Sequence, residues 1–473
     1  MPHRQSFKSN VLHAIISNFS VAVVSAMATL VIPKLVGVEQ YGYWQLFVFY
    51  SSYVLLIQFG VSGGANLRYA GLERSEIAAR AVGLQALFLV AFAALVSVLF
   101  LWLAPSLASS PERVGVIRLT ALVGLAINVR HFVLMQMQSA SDFKAYSRVA
   151  IGDRVLFASV LTALLLLGVR DFVWFAWVEI FAKVLSLLVA VILTRDILSV
   201  DFREWKLAFR ELLKNVYVGS KLSLASTSNM LILGVSRFLI DRVFGVAVFG
   251  AISLTLNVTT LFMVFVNAVG LVLFPALRRL GADRLPGLYG AIRIPLSSSL
   301  LVVLAFSFPI AHLINLWLPQ FEIGTQYIPL LLPIIVFESR MGLLVNQYLK
   351  TLRRENLLLG VNLAALAVSV CLSFVTVYLL EDLHLAVVSI VVVLGLRAIV
   401  AEVALVRILG ISLPSVMWVE IGLVGCAILM HSTLDGVVAT GAFVVLLLGY
   451  FAFFRRPIVA NSMELFRVLR RTK

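Results

Sequence analysis

Residues 35–46 read LVGVEQYGYWQL, and residues 243–254 read VFGVAVFGAISL. Laid over one another they align without gaps: Gly37 on Gly245, Val38 on Val246, Tyr41 on Phe249, Gly42 on Gly250 and Leu46 on Leu254. Each copy lies between two long apolar runs, near the start of one half of the chain. Glycine and leucine are common in apolar sequence, so the matching position in each half carries the repeat more than the identities do. A membrane protein whose halves open alike is expected to form two lobes with a path between them.

Composition fixes the class. With 61% apolar residues, 13% charged residues and a mean hydropathy of +1.03, a water-soluble globule is excluded. Apolar stretches long enough to cross roughly 30 Å of hydrocarbon as helices recur along the whole chain. They are too long, and too little alternating in polarity, for barrel strands. The expected fold is an all-α polytopic membrane protein of about fourteen spans. These fall at about 11–32, 43–62, 81–103, 114–137, 148–168, 172–194, 216–236, 247–273, 292–317, 326–348, 357–380, 385–406, 415–433 and 437–454. The resulting organisation is an N-lobe over 1–194, a cytoplasmic amphipathic linker over 195–215 and a C-lobe over 216–409. Two added helices over 410–454 and a basic cytoplasmic tail over 455–473 complete it.

Charge orients this topology. Most of the 38 basic residues fall on the side that carries both termini, while Lys34, Arg113, Arg118, Arg170, Arg237 and Arg242 fall on the other. Both termini are therefore expected in the cytoplasm. The net charge of +15 reads as topology and affinity for anionic lipid, with no nucleic-acid partner implied. Ala26-Met27-Ala28 resembles a signal-peptidase site, but His13 and Asn18 interrupt the apolar run before it, so the segment reads as a retained span. In the linker, Phe202, Trp205, Phe209, Leu212 and Leu213 share one helical face, and Arg203, Lys206, Arg210 and Lys214 share the other.

Catalytic motifs are absent: there is no phosphate-binding lysine loop, no HExxH and no CxxC. The six histidines are scattered, and Cys371 and Cys426 read as packing residues. No cofactor is implied, and no pattern distinguishes proton from sodium coupling. What remains is charge inside the membrane. Arg130, Arg154, Lys183, Arg340 and Arg397 lie within spans, with Asp153, Glu179, Glu338 and Glu402. Each costs about 2.5–3.5 kcal/mol at mid-bilayer, so each should face the bundle interior or a watery cavity. Glu179 and Lys183 are spaced to pair on one helix face. Asp153 and Glu338 sit on different helix faces from Arg154 and Arg340, which leaves those two arginines weakly compensated. Arg237 ends span 7 beside Asp241, where the plain reading is an outer-surface anchor. Span 7 is also dense in hydroxyls, from Ser220 through Ser223, Ser226, Thr227 and Ser228 to Asn229, which suits either close helix packing or a hydrophilic passage.

These motifs carry a family resemblance. Gly37-Val38-x-x-Tyr41-Gly42-Tyr43 leads to Phe59-Gly60 and then Asn66-x-Arg68-Tyr69. In the second half, Arg237-Phe238-x-Ile240-Asp241-Arg242 leads into Phe244-Gly245-Val246-x-x-Phe249-Gly250. The chain resembles the polysaccharide-export (Wzx-type lipid-linked oligosaccharide flippase) family of the multidrug/oligosaccharidyl-lipid/polysaccharide exporter superfamily. The resemblance implies a bundle that rocks between inward-open and outward-open states in a bacterial inner membrane. It implies a polyprenyl-diphosphate-linked oligosaccharide as substrate, with membrane lipids and glycan polymerase or assembly proteins as partners. On that reading Arg154 and Arg340, then Lys183 and Arg237, are the expected diphosphate contacts. A multidrug exporter of the same superfamily, a membrane glycan polymerase or ligase, and a non-transporting scaffold are the competing readings. Short outer loops count against the enzyme.

Overall fold

The computed structural model describes residues 29–280 and 285–471. Most of span 1 and the Ala26-Met27-Ala28 site lie outside the described residues. Every described element is a helix. The first are α1 (Val38–Tyr53), α2 (Val61–Tyr69), α3 (Arg74–Ala78), α4 (Val82–Leu107), α5 (Pro111–Ser139), α6 (Phe143–Leu166) and α7 (Phe172–Leu193). The long α8 (Trp205–Leu280) follows, then α9 (Leu285–Ala305), α10 (Ser307–Trp317) and α11 (Ile334–Thr351), the last with a π turn at Arg340–Val345. The chain closes with α12 (Glu355–Ser373), α13 (Leu383–Leu409), α14 (Val416–Thr433) and α15 (Gly436–Arg471).

Short polar residues start these helices where the sequence supplies them. The Ser110 side chain accepts from the Arg113 amide with Pro111 in the first turn, where its missing N–H costs nothing. Asp142 caps α6, Asp171 caps α7 and Asp382 caps α13 in the same way. Asp142 also takes Arg74 at 3.0 Å, and Arg74 reaches Asp196 at 2.6 Å. The Arg74 guanidinium holds the Asp196 carboxyl below the usual carboxylate range.

Among the described residues, ten helices are long and apolar enough to cross a membrane, or up to twelve if each of two bent pairs is one span. The fourteen expected from sequence include span 1, most of which lies outside the described residues, and count spans 7 and 8 separately. The structure instead joins 7 and 8 in one helical run broken at Gly245. Span 2 also differs. Phe59 and Gly60 both adopt left-handed backbone, with φ of 49° and 84°, so the helix ends there and resumes as α2 after a 58° bend. The stretch 195–215, expected as a surface-lying linker, has a buried edge of Ile197, Ala208, Glu211 and Asn215. Asn215 donates to Tyr69 Oη at 3.0 Å and to Gln85 Oε1 at 2.9 Å.

The chain divides into two compact units, Met1–Thr227 and Ser228–Lys473, and α8 continues through the boundary. In the first unit α5 is central, packing against α1, α2, α4, α6 and α7. Close approach near α2 requires glycine: a Cβ on Gly64 would overlap the Asn215 carbonyl. In the second unit α9 packs on α15, α12 on α13, and α14 on α15, around a core that includes Leu301, Leu344, Val387, Ala401 and Phe443. The two C-terminal helices thus contribute to this core.

The repeated motif occupies comparable environments in both units. Tyr41 and Phe249 are both buried, as are Gly42 with Gly250 and Leu46 with Leu254. The leading glycines differ. Gly37 has φ −63° and ψ 158°, which any residue can adopt, with open space around it. Gly245 has φ 87° and ψ 171°, a combination essentially restricted to glycine. Gly245→Ala should therefore cost about 1–3 kcal/mol and lower the thermal midpoint of the purified protein. Gly37→Ala should leave it within the error of a neutral surface change, and equal effects would contradict this account of the repeat.

Candidate functional site

Charged side chains inside the helices collect into separate groups, each within one unit. In the first unit the centre is Lys183 on α7. Its Nζ lies 2.6 Å from Asp153 Oδ2 on α6 and 2.9 Å from Glu179 Oε1, one turn back on its own helix. Arg130 on α5 adds a contact of 3.3 Å to the same Asp153 oxygen, and its Nε donates to Ser186 Oγ at 2.6 Å. Arg154 approaches Glu179 at 3.5 Å. Lys183 and Asp153 are buried, whereas the Arg154 side chain is 37% exposed and forms the rim. Three cations thus face two carboxylates. Asp153 Oδ1 and Glu179 Oε2 are buried without a hydrogen-bond partner, which leaves acceptor capacity inside the group.

The second unit holds a tighter group. Arg293 on α9 reaches Glu402 Oε1 on α13 through Nε at 2.8 Å. It grips Glu420 on α14 through Nη2 at 2.7 Å and Nη1 at 3.3 Å. Arg340 on α11 binds the other oxygen of Glu402. Tyr289 donates to Glu402 at 2.6 Å, and Tyr450 on α15 donates to Glu420 at 3.1 Å. All four charged side chains are at most 2% exposed. Two cations balance two carboxylates, and the tyrosine hydroxyls fill further lone pairs. Such a group persists in a low-dielectric interior only because nearly every lone pair is met.

A third link joins Arg397 on α13 to Glu338 on α11 at 2.6 Å, and the same guanidinium donates to Asn229 on α8. Arg237, also on α8, donates to Ser253 Oγ at 2.8 Å and lies 5.3 Å from the Phe249 ring centroid. That cation–π contact ties it to the aromatic residue of the second glycine motif.

The four basic residues singled out from sequence therefore have distinct surroundings. Arg154 and Lys183 meet in one group, Arg340 belongs to another, and Arg237 stands by the motif. The expected Glu179–Lys183 pair is present. Arg154 and Arg340 do not pair with the adjacent Asp153 and Glu338; their partners Glu179 and Glu402 come from other helices. Local spacing is blind to such partners. Arg293 and Glu420 were missed as functional candidates. Arg293 sits one residue inside the expected start of span 9 and reads as a loop residue. Glu420 lies well within span 13, where its insertion cost alone was the available signal.

No family model matches the chain, and no curated protein matches it by sequence. Solved structures do match. The inward-facing conformation of a multidrug resistance MATE family transporter of the MOP superfamily superposes with a TM-score of 0.66 at 16% identity, covering 84% of this chain and 98% of that one. A MOP superfamily transporter from Pyrococcus furiosus, reported with a binding pocket of reverse polarity suggesting a different function, gives 0.58 at 15% identity over 85% and 96%. A MATE protein in its bent conformation gives 0.56 at 16% identity over 85% and 95%. At this identity the likeness is one of fold: the chain has a MATE-like helical fold.

The two groups respond differently to loss of charge. Glu402→Ala leaves Arg293 and Arg340 buried with too few carboxylates and should destabilise by about 3–5 kcal/mol. Arg154→Gln, at the exposed rim, should cost within about 1 kcal/mol. Thermal unfolding in detergent separates the two, and similar losses at both positions would refute the contrast.

Proposed function

We propose that this chain is a secondary transporter that moves an amphipathic solute across the membrane by alternating access. The observation that carries the reading is the MATE-like fold over 84% of the chain and nearly the full length of its neighbour. On this reading the chain crosses the membrane fourteen times in a bacterial inner membrane, with both termini cytoplasmic. The helices of 1–194 and 216–409 move as lobes, and those of 410–454 are an addition to the second.

A drug-like organic solute is the substrate class that the neighbours favour, since multidrug transport is what the first of them is described as performing. One observation favours a second class. Asp153, Glu179, Glu338, Glu402 and Glu420 are each paired with an arginine or lysine, which offsets their charge toward a cationic drug, although one oxygen each of Asp153 and Glu179 stays unfilled. The first-unit group instead carries one more cation than it has acids. The P. furiosus neighbour is a precedent for another pocket polarity on this fold. An anionic, lipid-linked oligosaccharide fits that surplus, with Arg154 and Lys183 as its first contacts and Arg340 and Arg237 as further candidates. A membrane potential negative inside would favour outward movement of the anion by about 2.3 kcal/mol per charge per 100 mV. Glycan polymerase or assembly proteins would then act on the delivered unit.

Two assays on a strain lacking the gene, with and without the chain restored, distinguish the classes. For multidrug export, restoring the chain should lower steady-state accumulation of a cationic dye several-fold without altering surface glycan. For the oligosaccharide, loss of the chain should trap lipid-linked units in the inner leaflet and abolish the surface polymer. No change in either assay would contradict the transporter reading.

A further inference from the structure

The start of α8 carries a feature outside the charged groups described above. Trp205, Phe209, Leu213 and Tyr217 recur every four residues and are all exposed, Tyr217 to 85%. Lys206, Arg210 and Lys214 each follow one position later and are exposed too. The spacing sets an apolar stripe beside a cationic one along a single helix face. Beside that face an open groove of about 420 Å³ is lined by Arg68, Arg210, Leu213, Lys214, Tyr217 and Val218.

The charge of this groove is unbalanced. Its lining has three cations and no acid. Behind it, buried Glu211 is shared by Arg68 at 2.5 Å, Lys214 at 3.0 Å and Arg80 at 3.6 Å. One carboxylate thus serves three cations, and Arg210 adds a fourth. Asn215, next to Lys214, is fixed by Tyr69 and Gln85 and accepts from Arg68 at 2.5 Å, so Arg68 is held in place at the groove edge. The surplus favours a ligand with a compact negative charge, and the apolar stripe favours one with a hydrocarbon tail.

We propose that this groove is a binding site for an anionic phospholipid. The phosphate sits among Arg68, Arg210 and Lys214, and the acyl chains lie along Leu213, Val218 and Tyr217. The chemistry selects lipid over a soluble anion because aromatic side chains flank the cations on a helix that continues into an apolar span. Tryptophan and tyrosine with lysine and arginine at such a position mark the membrane interface. Anionic headgroups supply the complementary field there.

The test uses the full-length protein, purified in detergent and offered equal phosphatidylglycerol and phosphatidylcholine, with bound lipid read by native mass spectrometry. The wild type should retain phosphatidylglycerol with roughly tenfold preference. The Arg210→Gln/Lys214→Gln variant should lose that preference, and Arg455→Gln/Arg456→Gln, altered at exposed cations elsewhere, should keep it. Because Lys214 also pairs with Glu211, the single Arg210→Gln variant at an exposed side chain gives an independent reading, with a partial loss. An unchanged preference in both groove variants would overturn the site, as would no preference in the wild type. Displacement of the lipid by inorganic phosphate alone would overturn the lipid assignment.

Discussion

An ionised side chain in hydrocarbon must find an opposite charge, and in this protein neighbouring helices supply such partners, alongside the Glu179–Lys183 pair within α7. Lys183 bridges α7 to α6, Arg293 joins α9 to α13 and α14, and Arg397 joins α13 to α11. These contacts are directional, whereas apolar attraction among leucines and valines is not. Lipid offers no hydrophobic force to choose among helix registers, since the tails are as apolar as the side chains. Cross-helix ion pairs therefore do part of the specifying that a buried core does in water. Their retention for specificity is consistent with the small net stability expected of a buried pair.

The two units use the same device with different balance. Around Glu402 and Glu420 the charges cancel, the side chains are sealed and two tyrosines donate to the carboxylates, with Arg340 Nε left as the unpartnered donor. This arrangement holds helices, including the two C-terminal ones, in a fixed relation within their unit. Around Asp153 and Glu179 there is a surplus cation, an exposed rim at Arg154 and unfilled acceptors. That asymmetry is what makes the first group the better candidate for meeting a solute.

Much of this was readable from the chain. Span lengths and hydropathy gave an all-helical membrane protein, and the two glycine motifs pointed to positions that share burial at Tyr41 and Phe249. The i,i+4 rule found Glu179 with Lys183 because both lie on one helix. Asp153 with Lys183, Arg340 with Glu402 and Arg293 with Glu420 were not readable, since each pair is brought together only by packing between helices. The bend at Phe59–Gly60 was hidden too, because a left-handed phenylalanine has no sequence signature, while the glycine after it has several uses.

The most direct test is a double-mutant cycle on Arg397 and Glu338, the simplest of the cross-helix pairs. Thermal or denaturant unfolding would be measured for Arg397→Gln, Glu338→Gln and the double variant in one detergent. A coupling energy of about 0.5–3 kcal/mol is the result expected if such pairs specify helix packing. Effects that simply add, to within about 0.3–0.5 kcal/mol, would contradict it.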